Sequence, residues 1–194
     1  MKLRCATTNP GKLREFRLAS GDLEIEPVPN LAAIPAPEET GATFEENAIL
    51  KAVYYSRFTP DPVFADDSGL ETDALGGAPG VLSARFAGPA ATDDDNNRLL
   101  LEKLAGARTR AARFVCVTAL AQQGKLIATF RGVVEGTIVE APRGANGFGY
   151  DPLFYYAPFG CTFGEAERER KLEVSHRGQA IRALVTYCRG AAFR

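Results

Sequence analysis

The chain has 194 residues, of which 45% are hydrophobic and 24% charged, and its net charge is −1. That balance fits a soluble globular protein of about one domain and excludes a disordered chain, and no uncharged apolar run reaches the ~18 residues needed to span a bilayer. The near-zero charge gives no field for a polyanion, so duplex nucleic acid is excluded as the main partner, while a small anionic ligand held by a few local cations is not.

In chain order, Leu3 to Thr7 reads as a first strand and Thr7-Thr8-Asn9-Pro10-Gly11 as a turn. Lys12 to Leu18 has helical spacing, with Leu13, Phe16 and Arg17 on the inner face. Leu23 to Val28 is a second strand, and residues 29–42 are a loop rich in proline and glycine. Thr43-Phe44-Glu45-Glu46 is a capping box, which starts a helix running to about Arg57. Val63 to Ala65 is a short strand ending in Asp66-Asp67-Ser68-Gly69. Thr92 caps a helix whose first turn carries Asp93, Asp94 and Asp95, favourable against the helix dipole. Arg113 to Gln122 and Leu126 to Val139 form a hairpin around Gln123-Gly124. Residues 140–152 are a loop, Leu153 to Tyr155 a short strand, 164–173 a charged helical stretch, and Ser175 caps a last helix to about Arg189. Helix-linked strands together with one hairpin predict an α/β fold on a mixed sheet. No linker-like segment divides the chain, so residues 1–194 are expected to form one domain.

Several segments carry residue types suited to chemistry. Thr7 to Lys12 joins a strand to a helix start, where amides, Thr and Asn donors and the Lys12 charge suit phosphate; an ordinary strand–turn–helix with an Asn-Pro-Gly turn is the alternative that spacing alone favours. Asp66 and Asp67 follow a buried strand and point to opposite faces, so one can hold a divalent metal while the other does a different job; a polar turn is the alternative. Asn47 and Lys51 are four apart and share a helix face. Gly147-Phe148-Gly149-Tyr150-Asp151-Pro152 sets two aromatics and an acid in a flexible turn, able to stack on a base and accept from its edge. Lys171, His176 and Arg177 bring cations near a second helix start. His176 is the single histidine, which excludes a histidine-rich metal site. Cys5, Cys116, Cys161 and Cys188 are too dispersed for a zinc site or disulfide framework and read as buried free thiols. The N-terminus lacks the apolar stretch of a secretion signal, so a cytoplasmic location is expected.

Taken together, these segments resemble the inosine/xanthosine triphosphate pyrophosphatases, the Ham1-like family. The likeness runs from Thr7 to about Ala180. It rests on Thr7-x-Asn9-x-x-Lys12, Glu39-Thr40-Gly41, Phe44-x-Glu46-Asn47-Ala48-x-x-Lys51-Ala52 and Ala65-Asp66-Asp67-Ser68-Gly69-Leu70. Gly76-Gly77-Ala78-Pro79-Gly80-Val81, Ser83-Ala84-Arg85, Gly147 to Pro152 and Ser175-His176-Arg177-Gly178 complete it. Leu82 and Cys161 depart from the family's common residues, an aromatic and a lysine.

The resemblance implies an elongated mixed sheet with flanking helices, two lobes with a central cleft, and a homodimer. It implies hydrolysis of ITP, dITP and XTP to the monophosphate and pyrophosphate with Mg²⁺, clearing such purines from the nucleotide pool. It makes Asp67 the catalytic residue and, with Glu39, a metal ligand. Thr7, Thr8, Asn9, Pro10, Gly11, Lys12, Lys51, Ser68 and Lys171 would hold phosphates or sugar, and Phe148, Gly149, Tyr150, Asp151, His176 and Arg177 the base. Modified pyrimidine triphosphates, or nucleotide binding without catalysis, are the competing readings. The second would be signalled by loss of Asp67 or Lys12, and both are present.

Overall fold

The computed structural model describes residues 2–190; Met1 and positions 191–194 of the single-domain expectation fall outside them. The strands and helices are β1 (Lys2–Cys5), α1 (Pro10–Ala19), β2 (Glu24–Pro27), α2 (Phe44–Tyr55), β3 (Val63–Thr72), α3 (Asp93–Lys103), β4 (Ala111–Gln122), β5 (Lys125–Ile138), β6 (Phe154–Tyr156), β7 (Cys161–Thr162), α4 (Arg168–Val174) and α5 (His176–Gly190). The strands lie in one sheet in the order β2-β1-β3-β4-β5-β6-β7. β1 pairs parallel with β2 and β3, and β6 pairs antiparallel with β5 and β7, so the sheet is mixed as expected. β4 and β5 meet at Gln123 and Gly124, with φ of 50° and 79°, the positive pair that a two-residue type I′ turn requires.

Two compact units share these elements. The first takes in the chain as far as Asp67, Cys116–Gly132, and the chain from His176 onward. The second takes in Ser68–Val115 and Val133–Ser175. The core of the first joins Leu3, Phe16, Phe64, Leu120, Ile181 and Leu184. There Phe16 and Phe64 meet edge to face at 5.2 Å, and each buried ring contributes ~1.5–3 kcal/mol through area removed from water. The core of the second joins Leu70, Leu100 and Leu104 to Phe114, Phe154 and Phe163, with Phe154 and Phe163 rings 5.0 Å apart.

The expected capping box at Thr43 forms, and the expected Thr92 cap forms as a capping box too. Thr43 Oγ1 accepts from the Glu46 N–H at 3.1 Å while Glu46 Oε2 accepts from the Thr43 N–H at 3.1 Å, and Thr92 and Asp95 do the same for α3. Asn9 caps α1 by accepting from the Lys12 N–H at 3.1 Å, with Pro10 in the first turn, where its missing N–H costs nothing.

Three expectations need correction. The strand expected to stop at Ala65 continues to Thr72, so Asp66, Asp67, Ser68 and Gly69 lie inside β3 rather than on a turn after it. Distant cations make that burial possible, as described below. On α1 the buried residues are Glu15 and Phe16; Arg17 is exposed, its Nε donating to the Ile25 carbonyl at 3.1 Å. Of the four thiols, Cys161 is only half-buried, because it sits on β7, the end strand of the sheet.

Candidate active site

Alternation along β3 gives its two adjacent acids different neighbours. Asp66 is 4% exposed. Its Oδ2 accepts from Lys12 Nζ at 2.8 Å, and Arg177 Nε lies 4.0 Å away. Arg177 is also buried and donates to Glu15 Oε2 at 2.5 Å. Burial pushes the Asp66 carboxyl up, but Lys12, then Arg177 and Lys51, outweigh it and bring its pKa down to about 2. Asp66 is therefore a fixed anion that anchors Lys12 beside the start of α1. Cys116, whose Sγ is 4.0 Å from Asp66, is pushed up to about 12, by burial first and then by that anion, and stays a thiol.

Asp67 is buried and faces α2. Its Oδ1 accepts from Lys51 Nζ at 3.0 Å and its Oδ2 from Asn47 Nδ2 at 3.3 Å. Lys51 also reaches Glu39 Oε1 at 2.9 Å, so one ammonium joins the two carboxylates. Burial raises the Asp67 carboxyl above its ordinary range; Lys51 opposes this, and the negative charges of Glu39 and Asp66 reinforce it. The Lys51 ammonium is itself favoured, since Asp67, Asp66 and Glu39 outweigh the cost of its burial. A carboxylate with a raised pKa is a stronger proton acceptor than an ordinary one.

The loop before α2 sets this arrangement. The Gly41 N–H donates to Asn47 Oδ1 at 2.8 Å, which turns the Asn47 amide so that its Nδ2 faces Asp67. A Cβ on Gly41 would stand 2.6 Å from Asn47 Oδ1 and 2.9 Å from the Asn47 nitrogen, so only glycine fits here.

The expected site residues fall in both units. Thr7 to Lys12, Glu39, Lys51, Asp67, His176 and Arg177 lie in the first, and Ser68, Phe148 to Asp151 and Lys171 in the second. In the first, the structure brings together Lys12, Glu39, Lys51, Asp67 and Arg177 through the contacts above. Thr7 Oγ1 accepts from the Asn9 N–H at 3.2 Å, and Thr8, Asn9 and Pro10 are exposed at the start of α1. His176 is buried. In the second unit, Lys171 Nζ donates to Asp151 Oδ2 at 2.6 Å, and both are buried. The same oxygen accepts from the Phe148 N–H at 2.9 Å, and Lys171 Nζ lies 5.3 Å from the centre of the Phe148 ring. Tyr150 is buried and donates to the Ser83 carbonyl at 2.8 Å.

Glu15 and Asn47 complete the first unit's network, and sequence reasoning assigned neither a role at the site. Lys12 and Glu15, three apart at a helix start, were the available signal for the first. For Asn47 it was the spacing to Lys51. Among the described residues no group of three or more His, Cys, Asp and Glu is placed to hold a metal. The oxygen donors at hand are Glu39 and Asp67, and two carboxylates completed by water and phosphate oxygens is the donor set that suits magnesium.

Residues 3–187 match the Ham1 family model. A dITP/XTP pyrophosphatase of an Exiguobacterium species is 53% identical over 186 residues, covering 95% of each chain. One from Thermus thermophilus is 50% identical over 189 residues, covering 95% of this chain and 90% of its own. The solved structure of a HAM1 protein from Coxiella burnetii superposes with a TM-score of 0.89 at 43% identity, covering 98% of this chain and 100% of that one. The Staphylococcus aureus Ham1 protein gives 0.88 at 39% identity, covering 98% and 99%. With the family model matched across nearly its whole length, the chain belongs to the Ham1 family.

Proposed function

We propose that this protein hydrolyses dITP, ITP and XTP to the nucleoside monophosphate and pyrophosphate. The observation that carries the reading is the Asp67 carboxylate, buried, raised in pKa and held by Lys51 and Asn47 beside Glu39. The printed names of the relatives from Exiguobacterium and Thermus thermophilus support the substrate class.

The chemistry required is modest. Water attacks the α-phosphorus, the α–β bridging bond breaks, and the leaving group departs as pyrophosphate. Asp67 orients the water and accepts its proton. Lys12 and Lys51 offset the charge that grows on the phosphates, and their ion pairs fix them before substrate arrives, so no reorganisation is needed during the reaction. Glu39 and Asp67 would hold Mg²⁺, which supplies charge neutralisation on the phosphate oxygens when bound. The start of α1, with Thr7 to Gly11, offers further donors to an anion. For the base, a 6-oxo group accepts where the 6-amino group of adenine would donate, and a donor left unmatched in a buried site costs ~1–3 kcal/mol. The resemblance further supports a homodimer, which sedimentation of the purified protein would test.

The test is pyrophosphate release across dITP, ITP, XTP, GTP, ATP and dUTP, with magnesium and with a chelator. Fast release from dITP, ITP and XTP, abolished by the chelator, is the expected pattern. Preference for dUTP would favour the pyrimidine reading, and no release from any substrate would leave a binding protein.

A further inference from the structure

Gly149 is held at both of its backbone groups by one helix. Its N–H donates to Asp93 Oδ2 at 2.6 Å, and its carbonyl accepts from Asn97 Nδ2 at 3.0 Å. Asp93 opens α3 and Asn97 follows four residues later, so both side chains leave the same helix face. The neighbouring residue is fixed as well. The Phe148 N–H donates to Asp151 Oδ2 at 2.9 Å, and the Asp151 N–H returns to the Phe148 carbonyl at 3.3 Å. Gly149 has a φ of 63°, so the turn uses a conformation that glycine adopts without strain. The peptides on both sides of Phe148 are thereby tied down, while its ring remains half-buried.

Asn97 does this at a cost in stability. It is 5% exposed, and its Oδ1 finds no hydrogen-bond partner among the described residues. A buried oxygen left unsatisfied destabilises a fold, and an apolar side chain of similar volume would not. The adjacent Asn96 differs. Its Oδ1 accepts from the Ala87 N–H at 2.8 Å and its Nδ2 donates to the Ala84 carbonyl at 3.2 Å, which accounts for it as the fastener of that loop. The side-chain hydrogen bond that Asn97 does make is its hold on the Gly149 carbonyl, and that is what an asparagine supplies here.

We propose that Asp93 and Asn97 are positioning residues for base recognition, holding the Gly149 peptide so that the Phe148 ring is presented in a single orientation for stacking on the purine. The substrate part of this inference rests on the dITP/XTP reading above, whereas the tie from α3 to the turn does not depend on any ligand. Stacking strength depends on how the two faces overlap, so loosening the turn weakens binding more than it slows chemistry.

The test uses Asn97→Leu, Asp93→Ala and Asp93→Asn in the full chain, each alone and combined with Phe148→Ala. Hydrogen–deuterium exchange of the 146–151 segment and steady-state turnover of dITP are measured on all of them. Exchange should be faster in Asn97→Leu and Asp93→Ala. Their KM for dITP should rise roughly fivefold to tenfold, the effect of one lost hydrogen bond, with kcat within about twofold of wild type. Asp93→Asn keeps an oxygen that can accept the Gly149 N–H and should restore both readouts. Asn97→Leu should melt no lower than wild type, an outcome a merely structural asparagine would not give. On the Phe148→Ala background, both loosening variants should add little to KM, as expected for residues acting through that ring. Unchanged exchange in Asn97→Leu and Asp93→Ala would overturn the tie, and faster exchange with an unchanged KM would overturn its role in recognition. A wild type that turns over neither dITP nor XTP would instead overturn the substrate reading and the recognition role with it, leaving exchange to decide the tie.

Discussion

Asp66 and Asp67 are adjacent in sequence and have opposite surroundings. Lys12 and Arg177 hold Asp66 ionised, whereas burial near Glu39 raises Asp67 despite the contact with Lys51. Replacing Asp67 by Asn keeps its size and removes its charge. Turnover of dITP should fall ~10²–10⁴-fold, the loss typical of a positioned acid–base group, while the melting temperature changes little. The same substitution at Asp66 strands Lys12 and Arg177 without their shared anion and should act mainly on stability. Since the folded pKa of Asp66, about 2, lies below its ordinary 3.8, its stabilisation is complete above the ordinary value and is lost as pH falls towards about 2. Removing Lys12 shrinks that shift. In metal-free buffer, Lys12→Met should therefore flatten the fall of melting temperature between about pH 5 and about pH 3, a difference of at most ~1 kcal/mol. An unchanged slope would mean that Arg177 and Lys51 set the Asp66 charge without Lys12.

At the scale of elements, α2 and the loop before it act together. The capping box fixes where the helix begins, and that start places Asn47 and Lys51 toward Asp67. Gly41→Ala should push Asn47 aside and, because its Cβ would also stand 2.7 Å from Glu46 Cβ, press on the capping box as well. A ~10-fold loss of kcat on dITP is expected, with little change in helix content by circular dichroism; full activity would show that the Gly41 contact does not govern Asn47. The helix starts were legible in the sequence because capping is local, a matter of four consecutive residues. The length of β3 was not. Asp66-Asp67-Ser68-Gly69 has the composition of a turn, but its two acids are buried in a strand against Lys12 and Lys51, 54 and 16 residues away, which supply opposite charge. Glu15 was hidden in the same way, since its partner Arg177 lies 162 residues along the chain. Strand β7, two residues long, has too little sequence to carry a periodic signal.

For the molecule as a whole, the mixed α/β sheet followed from alternating elements and one hairpin, and the family resemblance followed from motifs spread along most of the chain. The resemblance implied two lobes, but where they divide was not legible, because three of the four boundaries fall inside β3, β4 and β5 and the fourth at Ser175, between α4 and α5, with none in a linker. Among the described residues no helix is long and apolar enough to cross a membrane, and a chain of net charge −1 suits a small anionic substrate better than a polyanion. The central claim is that water activated at Asp67 attacks the α-phosphorus. Hydrolysis of dITP in ¹⁸O-labelled water, with the products separated and weighed by mass spectrometry, tests it directly. One ¹⁸O atom in dIMP and none in pyrophosphate is the expected result; label in pyrophosphate, or release of dIDP and labelled inorganic phosphate, would contradict it.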